Sequence, residues 1–244
     1  VVLRHPQISG ELALMRTVLL TPLRPTPERL RVWRFVQAWC ATNYGMDHVT
    51  ADSDGKVFSP AQARNRAASS AGQWDVAVFH DADTIVHPDA VTKAINAAAT
   101  SNQMVVAADS HMYCDRLSSE RIMFSGVPMF ARPNSFDDRG IYPKPCSGVF
   151  AVNRDVWAST GGFIESLHGW GFEDLCFLQC CGLFAGGHTW IDGHISLHLW
   201  HPPSPKGDDT ATNKAVWQQL TRFRRRNDRD TARLYLASLD HTVP

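Results

Sequence analysis

Val76-Ala77-Val78-Phe79 is apolar at four consecutive positions and runs straight into His80-Asp81-Ala82-Asp83. An apolar run with no alternation suits a strand buried on both faces, as in a parallel sheet covered by helices. The two carboxylates then fall just past the carboxyl end of that strand, where ligands bind in open α/β sheets. Two acids on one side of a tight turn repel unless a positive charge lies between them, and a divalent cation is one solution. An acidic surface loop is the plainer alternative.

The flanking sequence extends the pattern. Met15 to Thr21 reads as a strand, followed by Thr21-Pro22-Leu23-Arg24-Pro25, which cannot be helical. Thr26 caps a helix with Pro27 in its first turn, and Leu30, Trp33, Val36, Gln37 and Cys40 recur at helical spacing. His48 to Ala51 is a short strand ending in the polar turn Asp52-Ser53-Asp54-Gly55. Ser59-Pro60-Ala61-Gln62 is a capping box opening a helix that carries Arg64, Asn65 and Arg66. His87-Pro88-Asp89 starts an Ala-rich helix to Thr100, and Met104 to Ala108 is a further strand. This β-α-β-α-β-α-β order predicts an α/β fold with a mostly parallel central sheet flanked by helices.

Ser110 to Lys144 shows little periodicity and reads as a long functional loop. Cys146 to Val152 is a strand entered through a small-residue turn, and Arg154 to Thr160 is a short helix. Gly169-Trp170-Gly171-Phe172-Glu173-Asp174 opens another helix, and strands follow near Trp190 and Ile195 to His201. The Pro/Gly/Asp-rich stretch Pro202 to Thr212 precedes a helical tail, about 213–244, bearing Arg222, Arg224, Arg225, Arg226 and Arg229. That cluster reads first as a solvated helix face.

The chain has 244 residues, enough for one sizeable core, and one domain is expected. With 24 basic and 24 acidic residues there is no charge excess to indicate a nucleic-acid partner. No run reaches the roughly 18 apolar residues of a membrane span, and no signal peptide is expected at the start. The six cysteines form no CxxC pair, which points to free thiols and a cytoplasmic, reducing location.

Four pieces together carry a resemblance: Asp81-Ala82-Asp83 after a strand, Ser147-Gly148-Val149, the Gly161-Gly162-Phe163 to Gly169-Trp170-Gly171-Phe172-Glu173-Asp174 segment, and His198-Leu199-Trp200-His201. In this order they resemble the single-domain, Rossmann-like GT-A fold glycosyltransferases. The nearest style is that of bacterial family 2 enzymes, chondroitin polymerases, β-1,4-galactosyltransferases and polypeptide N-acetylgalactosaminyltransferases. The resemblance spans about 15–205, with a nucleotide-binding half at about 15–109 and an acceptor and metal half at about 146–205.

The resemblance implies a metal-dependent hexosyl transfer from a nucleotide sugar, foremost a UDP-sugar, to a glycan or protein hydroxyl. It implies Asp83 as a direct ligand of Mn²⁺, or of Mg²⁺, with His201 as the further ligand and His198 as its alternative. Mixed carboxylate and imidazole donors suit that choice of metal. Asp81 resembles the acid that reaches the ribose or a metal-bound water. Asp174 resembles the general base of inverting members, and Glu173 its hydroxyl-binding neighbour. Both sit in a helix's first turn, where the dipole is expected to lower their pKa.

Trp170 offers a face for a sugar ring, with a core tryptophan as the alternative. The resemblance implies that Gly148, in its small-residue turn, lies at the donor site. Pro22 and Arg24 resemble the Pro-x-Arg loop that meets the base, Asp52 or Asp54 the acid that reads uracil, and Arg64 with Arg66 the segment beside the diphosphate. Pro202 to Thr212 resembles the loop that closes over the donor, and Ser110 to Lys144 is expected to help select the acceptor. Three other readings stay open: a retaining transferase of the same fold, a sugar nucleotidyltransferase, and a non-catalytic binding module. The absence of a Gly-rich phosphate loop counts against the nucleotidyltransferase.

Overall fold

The computed structural model describes residues 15–126, 128, 130, 136–202 and 209–243. Two sheets organise it. The larger is built from β1 (Thr17–Pro22), β2 (Asp47–Ala51), β3 (Val76–His80), β5 (Met104–Val106), β8 (Val149–Asn153) and β9 (His188–Trp190), in the order β2-β1-β3-β8-β5-β9. β1 pairs in parallel with β2 and β3, and β5 with β9. β8 runs against both of its neighbours, β3 and β5. The sheet is therefore mostly parallel, with one reversed strand at its centre.

Side-chain alternation along these strands sends residues to two helical layers. Leu19, Val78, Val105 and Ala151 pack with α1 (Pro27–Asn43) and α3 (Pro88–Thr100). Leu20, Phe79, Val106 and Phe150 face the opposite way, toward α2 (Pro60–Ser70), α5 (Arg154–Thr160) and α6 (Glu173–Phe184). Phe79, Phe150, Phe163 and Phe177 form a ring cluster there, with Phe163 and Phe177 stacked at 4.4 Å. α7 (Asp209–Arg226) and α8 (Arg229–Ala237) add a third layer outside α6 through Leu183, Val216, Leu220 and Leu236.

Helix starts follow their capping residues. Thr26 accepts from Arg29 N at 3.3 Å, and Ser59 from Gln62 N at 3.3 Å. The Ser59 box is only half made, however. The Gln62 side chain accepts from Asp54 N at 2.6 Å, and Ser59 N donates instead to Ser53 Oγ at 2.8 Å. The polar turn after β2 folds over the helix start and takes both partners.

The smaller sheet corrects the loop expected over Ser110 to Lys144. β6 (Ser110–Cys114), α4 (Arg116–Ser125) and β7 (Phe136–Pro143) occupy most of that stretch, and residues 127, 129 and 131–135 lie outside the described residues. Asp115 caps α4 by accepting from Ser118 N at 2.6 Å, and Gly126 ends it in the left-handed conformation. β6 joins β7, β10 (Ile195–His198) and β4 (Thr84–Val86) in the order β4-β10-β6-β7. β4 is only three residues long, and β6 and β7 carry histidine, serine, tyrosine and charged residues, so their sequence lacks the apolar alternation that marks a strand.

Candidate active site

The turn after β3 is fixed by two other segments. Asp81 N donates to Gly148 O at 2.8 Å, and Leu199 N donates to Asp83 O at 2.7 Å. His198 in β10 pairs in register with Thr84 in β4, which brings the end of β10 beside Asp83. The result is a tight cluster. His198 Nε2 lies 3.4 Å from Asp83 Oδ1, and His201 Nε2 lies 3.1 Å from Asp83 Oδ2. One donor atom from each of the three residues falls within 4.8 Å of the others. Both candidate histidines reach the carboxylate, so the alternative between them does not arise geometrically. His198 is walled by the rings of Tyr113 at 4.7 Å and His111 at 5.8 Å.

Arg29 also enters this cluster, with Nη1 2.5 Å from Asp83 Oδ2. Sequence reasoning missed it. Its one signal is its place in the first turn of α1, just after the capping threonine. Burial alone would raise the pKa of Asp83. His198, His201 and Arg29 outweigh that burial and hold it well below the usual carboxylate range.

Arg64 forms the second cluster. Its side chain is 3% exposed. Nη2 lies 2.8 Å from Asp81 Oδ1, while Nη1 lies 3.3 Å from Glu173 Oε1 and 2.8 Å from Asp174 Oδ1. The Asp174 contact is close but misaligned for hydrogen bonding, so Oδ1 takes a charge and no hydrogen bond from it. The guanidinium stacks over Phe163 at 5.0 Å. Burial opposes its charge, yet Asp174, Asp81 and Glu173 hold its pKa raised. Arg64 thus faces carboxylates, on the side of the site expected for the base.

The segment that carries Glu173 and Asp174 turns sharply. Gly169, Gly171 and Phe172 all have positive φ, and Gly171 N donates to Glu173 Oε2 at 3.1 Å. The dipole-lowered pKa expected for Asp174 is overturned. Burial drives its pKa well above the ordinary value, against the pull of Arg64 and with Glu173 and Asp81 adding repulsion. Asp81 is raised for the same first reason, burial. A helix-end dipole is worth a fraction of what burial among like charges costs.

The expected base-reading loop comes together at the sheet edge. Pro22 ends β1, and Arg24 Nε lies 2.9 and 3.1 Å from the two Asp52 oxygens. Arg24 Nη2 donates to Ser53 O at 2.7 Å. Asp54 and Arg66 pair at 2.6 Å on the exposed rim, and Arg66 Nη1 donates to Asp52 O at 3.1 Å. Gly148 has φ of +96°, and a Cβ there would meet His111 Nδ1 at 3.3 Å. Trp170 is 49% exposed, so it is no core residue. Of the expected closing loop, residues 203–208 lie outside the described residues.

No curated protein matches the chain by sequence. Among solved structures, the catalytic domain of Drosophila β1,4-galactosyltransferase 7, in complex with xylobiose, is similar at a TM-score of 0.52. Identity is 15%, over 82% of this chain and 80% of that one. GalNAc-T7 with UDP, GalNAc and Mn²⁺ is similar at 0.51 and 12% identity, over 84% of this chain and 48% of that one. This chain thus spans about half the length of GalNAc-T7. These likenesses are of fold. Residues 32–185, more than half of the chain, match the family described as glycosyltransferase like family 2. The chain therefore belongs to glycosyltransferase-like family 2, and it is a glycosyltransferase of the GT-A fold.

Proposed function

We propose that the chain moves a sugar from a UDP-sugar to an acceptor hydroxyl, with inversion at the anomeric carbon and Asp174 as general base. The observation that carries this reading is the convergence of Asp83, His198 and His201, with ligand atoms within 4.8 Å of one another. One carboxylate oxygen and two imidazole nitrogens form a donor set that fits Mn²⁺, and Mg²⁺ second. A divalent ion held there supplies Lewis acidity to the departing diphosphate. GalNAc-T7, with UDP, GalNAc and Mn²⁺, supports the choice of nucleotide and metal.

The remaining work falls to side chains. In the transfer, the bond from the anomeric carbon to the diphosphate oxygen breaks and its electron pair leaves with UDP. The acceptor oxygen bonds that carbon from the opposite face and yields its proton to Asp174. An aspartate whose pKa is raised by burial is a stronger base than one in water, which favours that transfer. Glu173, on the same helix turn and held by Arg64 and Gly171 N, orients the acceptor hydroxyl. The half-exposed Trp170 offers the sugar an apolar face. Arg24 and Asp52 frame the base-binding corner.

The test is a thermal-shift panel of UDP-, GDP- and TDP-sugars with Mn²⁺, Mg²⁺ or EDTA, followed by product analysis. Stabilisation is expected from UDP-sugars only with metal, and Asp83→Ala should abolish it. Asp174→Asn should keep that stabilisation and lower turnover by roughly 10²- to 10⁴-fold. Near-normal turnover in Asp174→Asn removes the base assignment, and a product of retained configuration removes inversion.

A further inference from the structure

The turn from Asp81 to Asp83 divides the charged groups into two sets of different balance. On the Asp81 side one guanidinium, Arg64, faces three carboxylates. On the Asp83 side one carboxylate faces one guanidinium and two imidazoles. The second set is neutral when its imidazoles are, and a divalent cation bound to it makes it doubly positive. A ligand carrying at least two negative charges balances it. The first set repels any such ligand.

We infer that Arg29 contacts the diphosphate of the nucleotide donor, a role that rests on the transferase reading above. Arg29 Nη1 sits 2.5 Å from the same Asp83 oxygen that faces His201, so the guanidinium belongs to the metal-binding cluster. Its side chain is 28% exposed, against 15% for His198, 10% for His201 and 8% for Asp83. Among these groups it opens most toward solvent, from which a ligand enters. It lies in the first turn of a 17-residue helix, whose amino end adds partial positive charge. A guanidinium fork matches phosphate oxygens.

Arg64 is excluded from that task by its surroundings. It is 3% exposed and its terminal nitrogens point at Asp81, Glu173 and Asp174. A phosphate reaching Arg64 would meet those three carboxylates first. Of the two α2 arginines expected beside the diphosphate, Arg64 is thus turned to the carboxylates, and the role falls to Arg29 on α1. When the donor's anomeric bond breaks, Arg29 is the side chain placed to neutralise the electron pair kept by the leaving diphosphate.

Isothermal titration of UDP and UMP, with Mn²⁺ present, into wild type, Arg29→Gln and Arg29→Lys tests this. Mn²⁺ binding without nucleotide is measured alongside by electron paramagnetic resonance. Arg29→Gln should weaken UDP roughly 10- to 100-fold and UMP by distinctly less. It should bind Mn²⁺ as tightly as wild type or more so, because a positive charge beside Asp83 is gone. Arg29→Lys should fall between. A UDP affinity unchanged in Arg29→Gln overturns the inference, as does an equal loss for UDP and UMP. Loss of Mn²⁺ binding in that variant also overturns it, since Arg29 would then serve only to hold Asp83. Wild type that binds no UDP with Mn²⁺ present is a different failure, that of the donor reading itself.

Discussion

Arg64, itself buried, puts one positive charge among three carboxylates, of which Glu173 is buried and Asp174 and Asp81 are partly exposed. Removing one partner of such a cluster strands the others, at about 3–5 kcal/mol. Arg64→Gln should lose stability of that order in urea denaturation. Its folded fraction should also show a displaced pH profile. As the proposed general base Asp174 must be deprotonated to act, so kcat/KM should fall as pH drops through its pKa. Burial has already raised that pKa, and losing the opposing charge of Arg64 raises it further. The acid limb must therefore move to higher pH; an unmoved limb would mean that Arg64 does not tune Asp174. At this scale the sequence was informative where a motif fixes residues locally. Asp81 and Asp83 share a turn, and His198 and His201 share a strand end, so their proximity was readable. Arg29 and the partners of Arg64 depend on how α1, α2 and α6 pack, which no local pattern encodes.

The link between α2 and the turn before the Gly-Trp-Gly segment shows how elements hold the site. Asn65 Oδ1 accepts from Phe163 N at 2.9 Å, and its Nδ2 donates to Phe163 O at 2.8 Å. Gly162 beside it has φ of +78°, and a Cβ there would lie 2.9 Å from Asn65 Oδ1 and 2.9 Å from the Trp157 ring. Gly162→Ala should therefore lower the Tm by several degrees, since both the backbone strain and the clash cost about 1–3 kcal/mol each. It should also lower kcat, because α2 carries Arg64, which faces the proposed base Asp174. A Tm within one degree of wild type would show that the turn relaxes without cost. Helix starts were legible because Thr26, Ser59 and Pro88 act on their own neighbours. β4, three residues long, and β6 and β7, rich in polar side chains, were not. They are strands because of their partners across the sheet.

Across the whole molecule, burial reaches groups that are ordinarily charged in mild acid. His80, with burial as the main cause, is pushed down to about 3. It is faced by Cys40 Sγ at 3.7 Å and the Tyr44 ring at 5.8 Å, with Asp81 O at 2.9 Å from Nδ1 and His48, itself pushed down to about 4, nearby. A folded pKa below the unfolded one means that the unfolded chain takes up the proton first. Stability from neutral His80 is thus full above about pH 6.5 and lost as pH falls toward 3. The raised carboxylates Asp81 and Asp174 act in the opposite sense, so the comparison must be internal. Relative to His80→Gln, wild type should lose about 2–3 kcal/mol between pH 6.5 and 4.5, read by urea titration at each pH. Parallel pH curves for the two proteins would contradict the burial argument. Among the described residues no helix is long and apolar enough to cross a membrane.

The reversed strand at the centre of the larger sheet has a consequence for synthesis. Val76 pairs with Asn153, and Val105 with Ala151, so β3 and β5 meet only through a strand made after both. On the ribosome the stretch that ends in Asp81 and Asp83 emerges early and waits with one edge unpaired. A chain cut near residue 109 would leave that edge bare, a row of open backbone donors and acceptors suited to pairing with another chain. Residues before and after this point are in this sense one folding event: the strand that leads into Asp81 and Asp83 has its second edge paired only once β8 has threaded between β3 and β5.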